Sequence, residues 1–277
     1  MKSVIAIATC VVIGMSGAFL CSTAARADSA ATMPQVSTTM PYWQEAQALA
    51  IATQADLRKG GIVAIQAHVP DLEQSLAHAD RSFASALSGN DTINVLADGE
   101  AEAAMAAANS AKIPGAAGRK VVVVGNPYRV LTLWLAYYYN EVRKPADALR
   151  VPDAGLALPT AVPGMAMGAT LPALVSERGV ALNALKRWPE ALAAYDGGLT
   201  IANLKDTDRG RMLRGRGLAL TELGRLDEAE KSYRDSLISD PNNALALREL
   251  NYIANIRSGR APAPVILIAP GMPKPQP

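Results

Sequence analysis

Apolar residues recur with helical spacing over most of this chain. From Trp43 they fall three or four positions apart, which predicts an amphipathic helix that ends at Gly60 and Gly61. Residues 62–87 continue the same period, and Pro70 predicts an interruption or a kink within them. The chain after residue 41 therefore begins with two or three predicted helices.

The pattern changes between residues 88 and 126. Residues 92–96 and 121–124 are short runs rich in β-branched side chains and bounded by turn-forming residues, which predicts two short strands. An alanine-rich stretch, residues 100–108, predicts a helix between them. Residues 42–126 are thus predicted to form an irregular helical region with two short β segments.

Two later segments, residues 172–205 and 210–243, align with each other as 34-residue units. In both, position 8 is glycine, position 20 is alanine and position 24 is tyrosine. The matching residues are Gly179, Ala191 and Tyr195 in one copy and Gly217, Ala229 and Tyr233 in the other. Small residues at positions 8 and 20 let two antiparallel helices approach closely, and the large residues fill the space beside that contact.

This pattern resembles the tetratricopeptide repeat, a 34-residue helical hairpin. A weaker copy covers residues 129–162, but Pro152 stands at its aromatic position, so we expect its second helix to be interrupted there. Residues 244–258 are predicted to form a helix that caps the last repeat. The predicted fold is all-α: a tetratricopeptide-like solenoid over residues 127–259, with a capping helix, preceded by the irregular region.

The N-terminal end of the chain predicts export, and the C-terminal end predicts an extended tail. Residues 1–27 have the basic, apolar and small-residue parts of a secretory signal peptide, with cleavage expected after Ala27 and a periplasmic location. An uncleaved anchor and a lipoprotein at Cys21 are the alternatives. Residues 28–41 are predicted to be a flexible linker, and residues 260–277, with six prolines, an extended tail whose apolar residues 265–268 dock on its own domain or on a partner.

Charge and cysteine content exclude several classes of protein. Removal of Lys2 and Arg26 takes Lys plus Arg from 27 to 25, equal to the 25 Asp plus Glu, so no basic field for nucleic acid remains. Both cysteines, Cys10 and Cys21, also lie within the signal peptide, so the mature chain is expected to have no disulfide or thiolate metal site.

The sequence offers no pattern typical of catalysis. The two histidines, His68 and His78, are ten residues apart, which is not the spacing of metal ligands on one helix face. We therefore expect no metal, no cofactor, no catalytic residue and no enzymatic activity. One alternative remains open, in which residues 42–126 bind a small ligand or carry a reaction.

The resemblance implies a concave groove lined by positions 2, 5, 9 and 12 of each first helix. It therefore implies a non-catalytic protein that binds another protein or peptide in envelope assembly, secretion or maintenance. An acidic or carboxylate end of that peptide is expected near Arg214 and Arg248. The other alternative is a self-associating scaffold, a homo-oligomer whose groove holds a second copy or the tail. The predicted partner-binding residues are Tyr137, Asn140, Asn183, Arg211, Arg214, Arg248 and Tyr252.

Overall fold

The computed structural model of the protein describes residues 41–86, 92–113, 115–158 and 168–259. The predicted signal peptide, the linker up to residue 40 and the Pro-rich tail lie outside these ranges. The described ranges contain ten α-helices and two β-strands, and none of these helices combines the length and the apolar character needed to cross a membrane. The helices are α1 (Pro41–Gly60), α2 (Val69–Ala86), α3 (Glu100–Ala108), α4 (Pro127–Glu141), α5 (Pro145–Ala157), α6 (Leu171–Ala184), α7 (Trp188–Leu199), α8 (Asp206–Glu222), α9 (Leu226–Ser236) and α10 (Ala244–Arg257); the strands are β1 (Thr92–Ala97) and β2 (Lys120–Gly125).

Helices α1 and α2 pack with each other and against α4, with a 3₁₀ segment, Ile62–His68, between them. The interruption predicted at Pro70 is this junction, because Pro70 is the second residue of α2, where a helix does not need its amide hydrogen. The Trp43 indole Nε1 donates to the carbonyl oxygen of Gly125 at 2.8 Å, and the Tyr139 hydroxyl donates to Glu73 at 2.7 Å. Helix α1 is thereby joined to the end of β2, and α2 to α4, the first helix of the repeats.

The two predicted strands pair in parallel, with Ile93 opposite Val121 and Leu96 opposite Val124. Parallel neighbours need a crossover connection, and α3 supplies it. One face of the pair packs with α3 in a small core of its own, which includes Val95, Ala106 and Val123 among others. Leu96, Val122 and Val124 belong instead to the main core of the helices.

A buried polar network joins this βαβ unit to the repeats. The carboxylate of Glu102 accepts from the guanidinium of Arg129 at 3.1 Å, and both side chains are essentially inaccessible to water. The Asp98 carboxylate accepts from the backbone amide of Thr170 at 2.9 Å and from its hydroxyl at 2.6 Å. Because each buried charge needs a partner, these contacts fix α3 and β1 against the ends of α4 and α6.

Three helical hairpins follow, α4/α5, α6/α7 and α8/α9, and they share one turn. In each turn position 15 of the repeat takes a left-handed backbone conformation, at Arg143 (φ 56°), Lys186 (φ 59°) and Gly224 (φ 73°). The next amide then bonds the carbonyl five residues back at 2.9 Å in all three turns, which satisfies a carbonyl at the end of the first helix. Only the last copy uses glycine there, so the shared geometry is not visible in the residue types.

The repeated small and aromatic residues form the core of the hairpins. Position 20 is fully buried in all three copies, at Ala148, Ala191 and Ala229. The rings of Tyr195 and Tyr233 are also buried and lie against the backbone of the preceding first helix, where Gly179 and Gly217 leave room for them. The predicted fold class, an all-α tetratricopeptide-like solenoid preceded by a region with two short strands, is confirmed.

The expectation that Pro152 interrupts the second helix of the first repeat is wrong. Helix α5 continues from Pro145 to Ala157 with Pro152 buried inside it. Proline removes one helical hydrogen bond and crowds the preceding turn, but packing of a buried face can outweigh that cost. Ala148 and Val151 on this helix are fully buried, so tertiary contacts hold the helix together across the proline.

Helix α10 follows the third hairpin and packs against α9 and α8. The Asn243 side chain caps it by accepting from the amide of Ala246 at 3.1 Å. Ala246 and Ile253 are buried against the last repeat, whereas Leu247, on another face, is 48% exposed. The helix thus covers part of the apolar face that the third hairpin would otherwise leave open.

Candidate functional site

The side chains at the expected groove positions divide into a closed end and an open end. On α4, Val130 and Leu133 are buried, and on α6 Ser176 is buried as well. On α8 and α10, in contrast, Leu218 is 36% exposed and Leu245 is 46% exposed. The side chains accessible to a partner therefore lie mainly on α8 and α10.

A polar cluster occupies the middle of this surface and joins α4, α6 and α8. Its centre is Glu177, whose carboxylate is 1% exposed. Asn140 donates to this carboxylate through Nδ2 at 2.7 Å, and Arg211 forms an ion pair with it. Arg211 also donates to the Tyr137 hydroxyl at 3.0 Å and lies 5.2 Å from the centre of the Tyr137 ring. Three predicted site residues are therefore brought together around a fourth that was not predicted.

Burial determines the electrostatics of this cluster. It raises the pKa of Glu177 above its usual value, although Arg211 and Asn140 act in the opposite direction. Burial also works to lower the pKa of the Arg211 guanidinium, but Glu177 and Tyr137 outweigh it and hold that pKa above its usual value. The positive charge of Arg211 is thus already balanced within the protein, which weakens its case as a free anion-binding group.

Glu177 was missed because its position does not belong to the groove set. It is residue 6 of its repeat, one place after Ser176, and a single acidic residue in a helix is normally a solvated one. Its burial beside the half-buried Arg178 is visible only in the structure. Nothing in the sequence indicated that Arg211, 34 residues away, reaches it.

Asn183 also has a structural contact. It is 6% exposed, and its Nδ2 donates to the backbone carbonyl of Gly215 at 3.0 Å. This bond joins α6 to α8. The side chain of Asn183 therefore lies beneath the accessible surface of the predicted groove.

The remaining predicted residues, Arg214, Arg248 and Tyr252, are on the open end. Arg248 is exposed and its guanidinium lies 2.7 Å from the carboxylate of its neighbour Glu249. Tyr252 is 37% exposed. Arg214 is half-buried and has no ion-pair partner within 4 Å in the described part of the chain. Burial, helped by the nearby Arg211, holds its pKa below the usual arginine value against the opposing attraction of the Asp240 carboxylate. An anion placed here would relieve that unfavourable environment.

These open-end residues form what we call the α8/α10 surface. It combines apolar and aromatic side chains with two guanidinium groups, and it offers no nucleophile–base pair. Within the described ranges, no group of three His, Cys, Asp or Glu side chains is arranged to hold a metal ion. The members of the α8/α10 surface are Arg214, Leu218, Leu245, Arg248 and Tyr252.

No protein-family model and no curated protein matches the sequence. Among solved structures, the chain is similar to the first TPR domain of human RPAP3, with 23% identity and a TM-score of 0.40 over 47% of this chain and 93% of that one. It is also similar to MamA residues 41 to the end from Desulfovibrio magneticus RS-1, with 14% identity and a TM-score of 0.44 over 78% of this chain and 86% of that one. The fold itself rests on the three hairpins, their shared turn and their buried positions 20. By these features the chain has a tetratricopeptide-like solenoid fold.

Proposed function

We propose that this protein is exported and binds a partner protein by holding an extended or helical segment of it on the α8/α10 surface. The observation that carries the proposal is the coexistence of exposed apolar side chains and a half-buried guanidinium, that of Arg214, which has no ion-pair partner within 4 Å in the described part of the chain. Soluble helices normally turn polar residues outward, so Leu218 and Leu245 at this surface favour contact with another molecule.

The partner's chemistry follows from the charges. Glu177 already neutralises Arg211 and Glu249 pairs with Arg248, so Arg214 is the guanidinium of this surface left to attract an acidic side chain or a terminal carboxylate. The apolar residues beside it would receive one or two apolar side chains of the same segment. A segment with an acidic and an apolar residue a few positions apart fits both features.

Export is supported by the sequence pattern of residues 1–27 alone. It predicts that protein recovered from the periplasm begins at Asp28. N-terminal sequencing of the protein from separated envelope fractions tests this part on its own. Protein that keeps Met1 and stays with the membrane would show that the segment is an anchor.

Site-specific photocrosslinking tests the binding surface. A photoreactive phenylalanine analogue placed at Leu218 or Tyr252 should crosslink to one recurrent protein in the native envelope, and mass spectrometry of the crosslinked peptide should locate an acidic-apolar segment. The matched control carries the same analogue at Leu247, which is 48% exposed on another face of α10 and should not crosslink to that protein.

Charge reversal gives the second arm. Arg214→Glu should reduce the crosslink from Leu218 at least about tenfold, since it replaces attraction by repulsion near the acidic residue. Lys231→Glu, an equal charge change on an exposed residue of α9, should leave the yield unchanged. Crosslinks from Leu247 alone, or an Arg214→Glu variant that crosslinks as well as the unaltered protein, would refute this surface as the site. A crosslink to a second copy of the chain would establish the self-associating scaffold instead.

A further inference from the structure

Helix α10 has the register of a first helix in a fourth repeat. With Ala244 as position 1, its buried residues Ala246 and Ile253 stand at positions 3 and 10. The same two positions are buried in the first helix of each hairpin before it: Leu131 and Tyr138, Leu174 and Ala181, and Met212 and Ala219. Helix α10 therefore packs on the third hairpin in the way that each earlier first helix packs on the element before it.

Positions 4, 8 and 11 of a first helix contact the second helix of the same hairpin. On α6, Val175 at position 4 lies against Gly198 of α7, and Gly179 at position 8 lies against the ring of Tyr195. Leu182, at position 11, is fully buried. In a complete repeat the second helix thus covers this side of the first.

On α10 the same three positions are uncovered, and we call them the outer face of α10. Leu247 is 48% exposed, and Asn251 and Ala254 are exposed as well. No second helix follows α10 in the chain up to residue 259. Leu245 and Tyr252 of the α8/α10 surface stand two positions earlier, roughly 200° around the helix, so the two surfaces lie on opposite sides of α10.

The chain leaves α10 through the kind of turn that begins each hairpin. Gly259 has a left-handed conformation (φ 68°), and its amide donates to the carbonyl of Ile256, three residues back, at 3.1 Å. The left-handed residues of the three hairpin turns, Arg143, Lys186 and Gly224, make the same bond at 3.2, 3.0 and 3.0 Å. Because those turns send the chain back along the first helix, the residues after Gly259 set out along the outer face of α10.

The sequence after this turn has one segment suited to that face. Pro262 and Pro264 disfavour a helix, so an extended chain of about 3.1 Å per residue is expected. Val265, the sixth residue after Gly259, is then about 19 Å along this path. Leu247 stands twelve residues before Gly259, about 18 Å back along the helix axis. The apolar run 265–268 therefore arrives level with the exposed Leu247.

We propose that residues 265–268 of this chain pack on the outer face of α10, where the other repeats have a second helix. Four consecutive apolar side chains and the exposed Leu247 leave water together in this arrangement, which favours it. The tail thereby completes the C-terminal end of the solenoid. It leaves the α8/α10 surface open, so this proposal and the proposed function can fail separately.

Photocrosslinking within the purified full chain tests the contact. A photoreactive phenylalanine analogue at Leu247 should crosslink to residues 265–268, as located by mass spectrometry. The matched control carries the analogue at Leu245, which is 46% exposed on the opposite side of the helix and should give at least about tenfold less of this crosslink. Irradiating an equal mixture of ¹⁵N-labelled and unlabelled protein should give only crosslinked pairs of a single isotope, because the tail packs on its own chain.

Two tail variants test the apolar run itself. Ile266→Asp/Leu267→Asp should lower the crosslink from Leu247 at least about tenfold, since adjacent residues of an extended chain point to opposite sides and one of the two carboxylates would be buried. Met272→Asp/Gln276→Asp adds the same charge outside the run and should change the yield less than about twofold.

Four results would each overturn the proposal. They are no crosslink from Leu247 to the tail, equal crosslinking of the tail from Leu245, an equal loss in both tail variants, and pairs of mixed isotope. Mixed pairs would show that the outer face of α10 holds the tail of a second copy instead.

Discussion

The tightest packing in the repeats surrounds the ring of Tyr195, and it predicts the outcome of one substitution in detail. A Cβ at Gly179 would lie 2.4 Å from Cζ of Tyr195, and one at Gly215, on the next first helix, would lie 2.3 Å from the same atom. The ring is therefore held between the backbones of α6 and α8. Gly179→Ala would need it to move about 1 Å to restore an ordinary contact of 3.4 Å, and α8 blocks the retreat.

The magnitude follows from two opposing effects. Overpacking a rigid core is unfavourable by about 1–3 kcal/mol. Alanine in place of glycine within a helix is favourable by about 1 kcal/mol. Since the ring has no free side to move to, we expect overpacking to prevail and Gly179→Ala to lower the free energy of unfolding by up to about 2 kcal/mol.

Gly197→Ala is the matched control. Gly197 lies on α7 with no atom within 4 Å of the added Cβ, so only the helix effect acts and the protein should be more stable by about 1 kcal/mol. Urea unfolding followed by circular dichroism measures both variants, and their midpoints should move in opposite directions. A Gly179→Ala protein as stable as the Gly197→Ala protein would refute the packing argument. Tyr195→Leu in the Gly179→Ala background should recover part of the loss.

Three further substitutions test other parts of the molecule. Arg129→Met takes the cation from the buried carboxylate of Glu102 and should lower the free energy of unfolding by about 3–5 kcal/mol in urea titrations; a loss below about 1 kcal/mol would contradict the buried pair. Glu177 has a raised pKa, so its native state binds the proton more tightly than the unfolded chain and its contribution to stability falls as pH rises above 4.5. The unfolding free energy of the unaltered protein minus that of Glu177→Gln should therefore decrease from about pH 4 to about pH 7, and an increase would contradict the raised pKa. Pro152→Ala gains about 3 kcal/mol of helix propensity and loses about 1.6 kcal/mol of apolar burial, so thermal unfolding should show an increase in stability of about 1 kcal/mol. A lower melting temperature would show that packing of the proline ring stabilises the protein more than the restored backbone hydrogen bond does.

The hairpins could be predicted from the sequence because their small and aromatic residues repeat at fixed positions. Each hairpin packs a tyrosine of its second helix against a glycine of its first, Tyr195 against Gly179 and Tyr233 against Gly217. Because the two helices follow each other in the chain, the spacing of these residues in the sequence is enough to predict the contact. The two strands could be predicted for a similar reason, from short β-branched runs. Their parallel pairing could not, since it depends on how the α3 crossover packs.

The candidate sites were less predictable because they join separate helices. Repeat positions correctly placed Tyr137 and Arg211 near one surface, but the buried Glu177 that pairs with Arg211 belongs to a third helix between them. An ion pair between two helices can be predicted only once the packing of those helices is known.

The bond from Trp43 to the carbonyl of Gly125 also bears on the order of folding. It spans 82 residues, whereas each hairpin closes its contacts within one repeat. Short-range contacts form quickly and long-range ones pay a larger entropy of chain closure first. Helix α1 can pack on α2 soon after both are made, but its contact with α4 stays open until α4 has left the ribosome or a translocation channel as well. The apolar side chains of α1 that face α4 are therefore a place for a chaperone to bind during that interval.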